Sequence, residues 1–291
     1  EHMITFACNE MTCKSALHYH GKPNLPCNWD LNAYRGCTNG CKYCYAVYSH
    51  KYMEKINPAG AENYFGSIFV KTNAAECLDR ELSSPKWKGE TINLGGVTDS
   101  YQRAEAKYQI MPDIWRVLIR HRNPVVISTK SDLILRDYEL IAELAQVASV
   151  NIAVTITTVD YEMQHLLEPG AVDPDKRFTV LREFSKVTRT GLHMMPVIPY
   201  ITDSYDNIDT VFDCAARCNV SYVLPGTLYL RGLTREKFFE FIAKKLPYHY
   251  AKLQAFYGKD KTLASAYKKT LYSMIYERLE HYGFPKSYPK T

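Results

Sequence analysis

Eight residues carry three cysteines: Cys37-Thr-Asn-Gly-Cys41-Lys-Tyr-Cys44, a C-x3-C-x2-C run with a tyrosine on each side of its last thiol. Thiols that only fill a core scatter along a chain, so three packed this closely point to a metal centre. Their number is informative. A structural zinc site asks for four protein ligands, and an electron-transfer iron–sulfur cluster is normally held by four cysteines. Three thiolates around a [4Fe–4S] cube leave one iron open, and an open position marks a catalytic metal. The alternative is a zinc site completed by a further ligand such as Cys27. Gly36 and Gly40 let the backbone fold tightly around such a centre, and Tyr43 and Tyr45 can shield its edge from water.

Strands and helices must carry these cysteines to a site. Trp29 to Tyr34 reads as a short first strand feeding the cysteine loop, after a stretch from Met3 to Asp30 with little periodicity. Ala46 to Met53 reads as a helix start, and Ser67–Lys71 as a strand before a helix through Leu82 with Asn73 as its N-cap. From Thr91 the pattern is regular. Strands are expected at 92–97, 124–129, 150–157, 192–198 and 220–224, and helices near 104–121, 132–147, 174–189 and 204–218. Apolar strands alternating with amphipathic helices mean repeated βα units around a parallel sheet. Six of them give α/β architecture, a partial (β/α)6 TIM-like barrel with its chemistry at the strand C-terminal ends. The expected organisation is an N-terminal extension over 1–28, the barrel over 29–233 and a basic helical extension over 234–291.

The strand ends then read as a cofactor site. Gly95 and Gly96 allow close backbone approach, with Thr98 and Asp99 following. Ser128 and Lys130 end the next strand, and Thr155 and Thr157 the one after; for the threonines, strand propensity and helix capping are the competing explanation. Glu168 and His193 are further polar groups near the rim. Tyr45, Tyr229 and Arg231 are candidates to face a substrate. Cys77, Cys214 and Cys218 read as packed helix thiols.

The cysteine spacing, with an aromatic before the third thiol, resembles the radical S-adenosylmethionine (SAM) superfamily. From Asn32 to about Gly232 the chain is similar to its spore photoproduct lyase-like branch. The similarity rests on N-A-Y-R-G-C-T-N-G-C-K-Y-C-Y-A, L-G-G-V-T-D-S-Y-Q, S-T-K-S-D-L-I-L-R-D, and V-T-I-T-T with L-L-E-P. The resemblance implies a [4Fe–4S] cluster on Cys37, Cys41 and Cys44, SAM on its open iron, and the methionyl amino group at the Gly95-Gly96 turn. It also implies a Lys130 contact to the SAM carboxylate and a radical-relay role for one of Tyr43 and Tyr45. The lyase's hydrogen-donating cysteine stands in a C-T-S-D context. Here the same place reads Gly96-Val97-Thr98-Asp99, with no thiol, so a relative with another substrate is expected.

Composition sets the remaining bounds. Nine cysteines with no obvious signal peptide fit a reducing cytoplasm, and no apolar run approaches a membrane span. Of the net charge of +5, residues 234–291 hold twelve Lys/Arg against five Asp/Glu, interleaved with tyrosines. Such a tail suits a phosphate-tracking surface or a solvated helix face. The partners expected are a reducing electron donor of the flavodoxin or ferredoxin kind and a candidate nucleic acid, with no membrane. The substrate alternatives are a peptide or small metabolite, and the non-enzymatic alternative is a zinc or iron–sulfur binding protein.

Overall fold

The structure, a computed structural model, describes residues 5–21, 27–53, 63–259 and 262–287. Four short strands come first: β1 (Ala7–Met11), β2 (Leu17–Tyr19), β3 (Trp29–Leu31) and β4 (Tyr34–Arg35). A 3-10 helix (Tyr45–Met53), β5 (Ser67–Lys71) and α1 (Ala74–Leu82) lead to β6 (Ile92–Leu94). After it come α2 (Arg103–Tyr108), α3 (Ile110–His121), β7 (Val125–Thr129), α4 (Tyr138–Ala145), β8 (Val150–Thr155), α5 (Tyr161–Leu167) and α6 (Pro174–Phe184). The chain ends with β9 (Arg189–Val197), α7 (Tyr205–Arg217), β10 (Tyr222–Thr227), α8 (Gly232–Lys245), α9 (Pro247–Tyr257) and α10 (Ser265–His281).

Six parallel strands, in the order β3-β6-β7-β8-β9-β10, form the partial barrel, with β2 added antiparallel at its β3 edge. A second sheet joins β1, from before the barrel, to β5 and β4 of the first crossover, with β1 parallel and β4 antiparallel to β5. The strand period of two divides the large sheet's faces. Val125, Ile127, Val150, Ile152, Val154, Leu192 and Met194 are buried on one face, in one core with helix residues such as Trp115, Phe184 and Phe212. The other face is polar. Ser128, Asn151, Thr155, His193 and Tyr222 line it and contact one another.

Several elements differ from their sequence expectation for local reasons. The helix expected over 104–121 is two helices, because Gln109 takes a left-handed conformation (φ 49°). Glu105, fully buried, makes the break favourable by accepting from the amides of Ile110 and Met111 at 3.0 Å each, a carboxylate cap on α3. The 132–147 helix opens with 3-10 geometry over Leu133–Asp137, and β9 begins three residues before its expected start, ending α6 at Phe184. Asn73 does precede α1, but its side chain bonds the backbone of Cys13 and the Cys77 thiol rather than a backbone amide of the helix. The aperiodic N-terminal stretch supplies β1 and β2, too short and too exposed to show an alternating pattern.

Candidate metal and cofactor site

The loop 36–44 leaves β4 and enters the 3-10 helix at Tyr45. Gly36 has φ 83°, and a Cβ there would lie 2.7 Å from the carbonyl oxygens of Tyr64 and Ser67. Only glycine fits. Cys37 and Cys41 are buried and Cys44 is partly so. Burial raises the pKa of all three thiols, that of Cys41 to about 12, and Asp99 and Cys41 raise that of Cys37 further. Thiolates placed like this become favourable only with cations among them. Among the described residues, no three His, Cys, Asp or Glu side chains are arranged to hold a single ion. Three thiols spread along a loop suit a cluster in which each sulfur takes its own iron. Cys27, the candidate fourth zinc ligand, is buried next to Asp30 and Trp29 at the β3 edge.

Segments distant in sequence brace the loop. Thr98 Oγ1 donates to the Gly36 carbonyl (2.6 Å), and Gln102 bonds Gly36 and the Thr38 amide. The Asp99 carboxylate accepts from Asn39 (2.9 Å), Thr129 (2.7 Å) and the amides of Tyr101 and Lys130. Thr98 and Asp99, expected to contact the cofactor, thus spend their hydrogen bonds inside the protein. On the other side, Lys42 and Gly170 amides donate to Leu167 and Asn39 carbonyls. The Tyr43 hydroxyl donates to Glu168, which pairs with buried Arg177. Burial opposes the Glu168 charge, but Arg177 and Lys130 outweigh it and its pKa falls below the usual carboxylate value. Breaking such a buried pair from one side costs about 3–5 kcal/mol. Arg177 also donates to the carbonyls of Thr155 (2.9 Å) and Val172 (2.7 Å), tying the network to the end of β8. From below, Thr234 on α8 donates to the Cys44 carbonyl at 3.1 Å, and Leu233 packs beside Cys37, Ala46 and Val47.

The expected cofactor residues converge on this rim. Gly95 has φ 83°, and a Cβ on it would lie 2.8 Å from the Thr98 carbonyl oxygen; one on Gly96 would meet the Asp30 carboxylate at 2.6 Å. The Tyr45 hydroxyl donates to the Gly96 carbonyl and the Tyr64 hydroxyl to Val97, joining the cysteine side to this turn. Lys130 has its ammonium 5.8 Å from the Tyr43 ring centre. Burial disfavours its charge, yet Cys41, Glu168 and Asp99 raise its pKa and keep it protonated. Ser128 Oγ lies 3.5 Å from Thr155 Oγ1 and 3.4 Å from His193 Nδ1. Thr157 is 2% exposed, and its hydroxyl has no hydrogen-bond partner among the described residues. That orphaned oxygen, the charged lysine and the three thiols fit a ligand bearing a carboxylate and hydroxyls beside a cluster.

Tyr43 is buried, whereas Tyr45 (60% exposed) and Tyr229 are exposed. Arg231 is exposed, immediately before α8. Next to the mouth, Tyr200 follows β9 in a left-handed conformation (φ 63°), strained for an aromatic residue. Its ring is nearly parallel to those of His249 and Phe256 on α9, and Lys252 lies over both Tyr200 (5.2 Å) and Tyr248 (4.5 Å). Tyr248 is 76% exposed. Sequence reasoning missed this platform and the braces Gln102, Arg177 and Gly170. Only the E-P-G tripeptide at 168–170, turn residues after an acid, gave a local signal.

Comparison with known proteins gives the family. The model of the radical SAM superfamily matches residues 31–211. Uncharacterized proteins of Mycobacterium tuberculosis and Mycobacterium bovis are each 36% identical over 275 residues, covering 92% of this chain and 78% of theirs. An uncharacterized protein of Methanocaldococcus jannaschii is 27% identical over 177 residues, 60% of this chain and 61% of its own. Among solved structures, a spore photoproduct lyase mutant aligns with a TM-score of 0.70 at 13% identity, covering 98% of this chain and 82% of its own. Another, with bound AdoMet and dinucleoside spore photoproduct, aligns with a TM-score of 0.65 at 12% identity, covering 94% and 79%. That likeness is one of fold. With the family model spanning more than half of the sequence, the chain belongs to the radical SAM superfamily.

Proposed function

We propose that Cys37, Cys41 and Cys44 hold three irons of a [4Fe–4S] cluster, and that SAM occupies the rim between Gly95-Gly96, Ser128, Lys130, Thr155 and Thr157. The observation that carries this reading is the buried three-thiol loop braced against the Gly95–Asp99 turn at the strand C-terminal ends. When bound, cluster and SAM together supply a 5′-deoxyadenosyl radical that removes a hydrogen atom from substrate. Lys130, held protonated, receives the SAM carboxylate, and the Thr157 hydroxyl gains the partner it otherwise lacks. The Gly95-Gly96 turn receives the amino group with its backbone, since Thr98 and Asp30 fill the space on the Cβ side of the two glycines. Tyr45, Tyr229 and Arg231, all exposed, are the groups that face substrate.

The substrate class best supported is a nucleic acid. Tyr200, Tyr248 and Lys252 offer stacking surfaces and a cation at the mouth of the barrel, the pairing that holds bases and phosphates. A target base inside a duplex would have to be extruded to reach the radical. The structurally similar lyase likewise holds a dinucleoside ligand. A second reading, a small polar metabolite or a peptide side chain, is favoured by the polar inner face of Ser128, Asn151, Thr155, His193 and Tyr222.

The class is tested by anaerobic reconstitution with iron and sulfide, chemical reduction, and addition of SAM, with 5′-deoxyadenosine followed by mass spectrometry. Wild type should produce it, alone or with a substrate present, and Cys41→Ala should not. A chain that takes up stoichiometric zinc and assembles no cluster would sink the reading.

A further inference from the structure

A radical SAM enzyme must receive electrons, and the molecule presents one charged surface directly over its cysteine loop. Lys42 stands between Cys41 and Tyr43. While Tyr43 turns inward to Glu168, the half-buried Lys42 side chain lies 6.0 Å from the ring centre of Phe241 on α8. On a helix, residues three and four apart are neighbours, so Lys237, Lys244 and Lys245 flank Phe241 on the same side of α8. Lys244 and Lys245 are exposed and Lys237 half-buried. The same helix is seated on the cysteine loop through Thr234 and the Cys44 carbonyl. Glu236 and Glu240 are also exposed on α8, but Glu236 is opposite Phe241 by helical angle and Glu240 is at the margin of the lysine face. Four lysines are therefore grouped around an aromatic ring beside the Cys41–Cys44 segment.

We infer that Lys42, Lys237, Lys244 and Lys245 around Phe241 form the docking surface for an acidic one-electron carrier protein bearing a flavin or an iron–sulfur group. The inference rests on the proposal that Cys37, Cys41 and Cys44 hold the cluster. Charge complementarity selects the carrier and raises its encounter rate. Phe241 supplies an apolar centre, and the Cys41–Lys42–Tyr43–Cys44 backbone is the short route inward. One electron leaves the reduced carrier, which is oxidised by one electron, and the cluster is reduced by the same electron, with no bond made or broken. The surface lies on α8 at the cysteine loop, and the Tyr200 platform, on α9 and the loop after β9, has its α9 part beginning three residues past Lys245, at Tyr248.

The test uses flavodoxin as the probe, in two arms. In the first, reduced flavodoxin is mixed anaerobically with reconstituted protein, and cluster reduction is followed by loss of visible absorbance. The Lys244→Glu/Lys245→Glu variant should be reduced about tenfold more slowly than wild type at low salt, with the difference shrinking as salt is added. Reduction by photoexcited deazaflavin, a small reductant, should be unchanged. In the second arm, a zero-length carbodiimide joins lysines to flavodoxin carboxylates in the protein without its cluster, and cross-linked peptides should contain Lys42, Lys244 or Lys245. Equal rates with flavodoxin for variant and wild type, or cross-links that avoid these lysines, would overturn the surface. So would a variant that loses oligonucleotide binding but keeps its flavodoxin rate. Failure to assemble any cluster would refute the cysteine assignment instead, and the cross-linking arm would still decide the surface.

Discussion

Asp99 accepts hydrogen bonds from Asn39, Tyr101, Thr129 and Lys130, which fills the roughly four lone-pair positions of a carboxylate. Sequence marks it as a ligand contact because it stands beside a glycine turn at a strand end. Apart from Tyr101, two residues on, its partners in the fold lie about thirty and sixty residues away, and no local pattern announces them. The cysteines are different: their chemistry is written in their spacing, so they are legible at once. His193 sits between these cases, since its place on a strand is readable but its surroundings are not. Burial first, and the Lys130 charge second, lower its pKa from 6.5 to about 4. A folded-state pKa below the unfolded one means that the unfolded chain takes up the proton first. The contribution of His193 to stability is thus fully present above about pH 6.5 and is lost as pH falls toward 4. The ring-carbon NMR signals of His193 should stay unshifted until the pH nears 4, and His193→Gln should lose less stability than the parent between those two values. A midpoint near 6.5 would contradict the neutral, buried imidazole.

At the scale of elements, the parallel strands were readable because each is a short apolar run bounded by turn residues, and α7 because Ser204 caps it by accepting from the Asn207 amide at 3.1 Å. The rest was hidden for physical reasons. β1, β2 and β4 are two to five residues long, and a left-handed residue such as Gln109 leaves no mark in a helical pattern. The turn after α5 shows only a turn signature in the sequence, yet it clamps the cysteine loop: a Cβ on Gly170 would lie 1.9 Å from the Thr38 carbonyl oxygen. Gly170→Ala must move one segment or the other, at a cost of about 1–3 kcal/mol. The variant should melt at lower temperature and, after reconstitution, hold several-fold less iron than wild type, with its helical circular dichroism intact. Unchanged melting and iron content would show that the contact is slack.

For the whole molecule, the C-terminal helices decide what can approach. α8 lies against the cysteine loop, while α9 is tied to the segment after β10 by the Tyr257 hydroxyl, which donates to the Leu228 carbonyl at 2.9 Å. On the nucleic-acid reading, stacking on an exposed ring is worth about 1–3 kcal/mol per base. Tyr248→Ala and Lys252→Glu should each weaken binding of a fluorescent single-stranded oligonucleotide about fivefold or more, and wild-type affinity should fall steeply with salt. Absent or salt-insensitive binding in an anisotropy titration would shift the reading to a small metabolite or a peptide. The bracing of the cysteine loop also has a consequence in time. The Thr234 contact to Cys44 spans 190 residues and the Glu168 contact to Tyr43 spans 125. At roughly 5–20 residues per second of synthesis, Cys44 leaves the catalytic centre of the ribosome about 10–40 s before Thr234 has even been added. Through that interval the three thiols are made but not yet seated, so delivery of iron and sulfide belongs after synthesis of the barrel, when the last brace has closed.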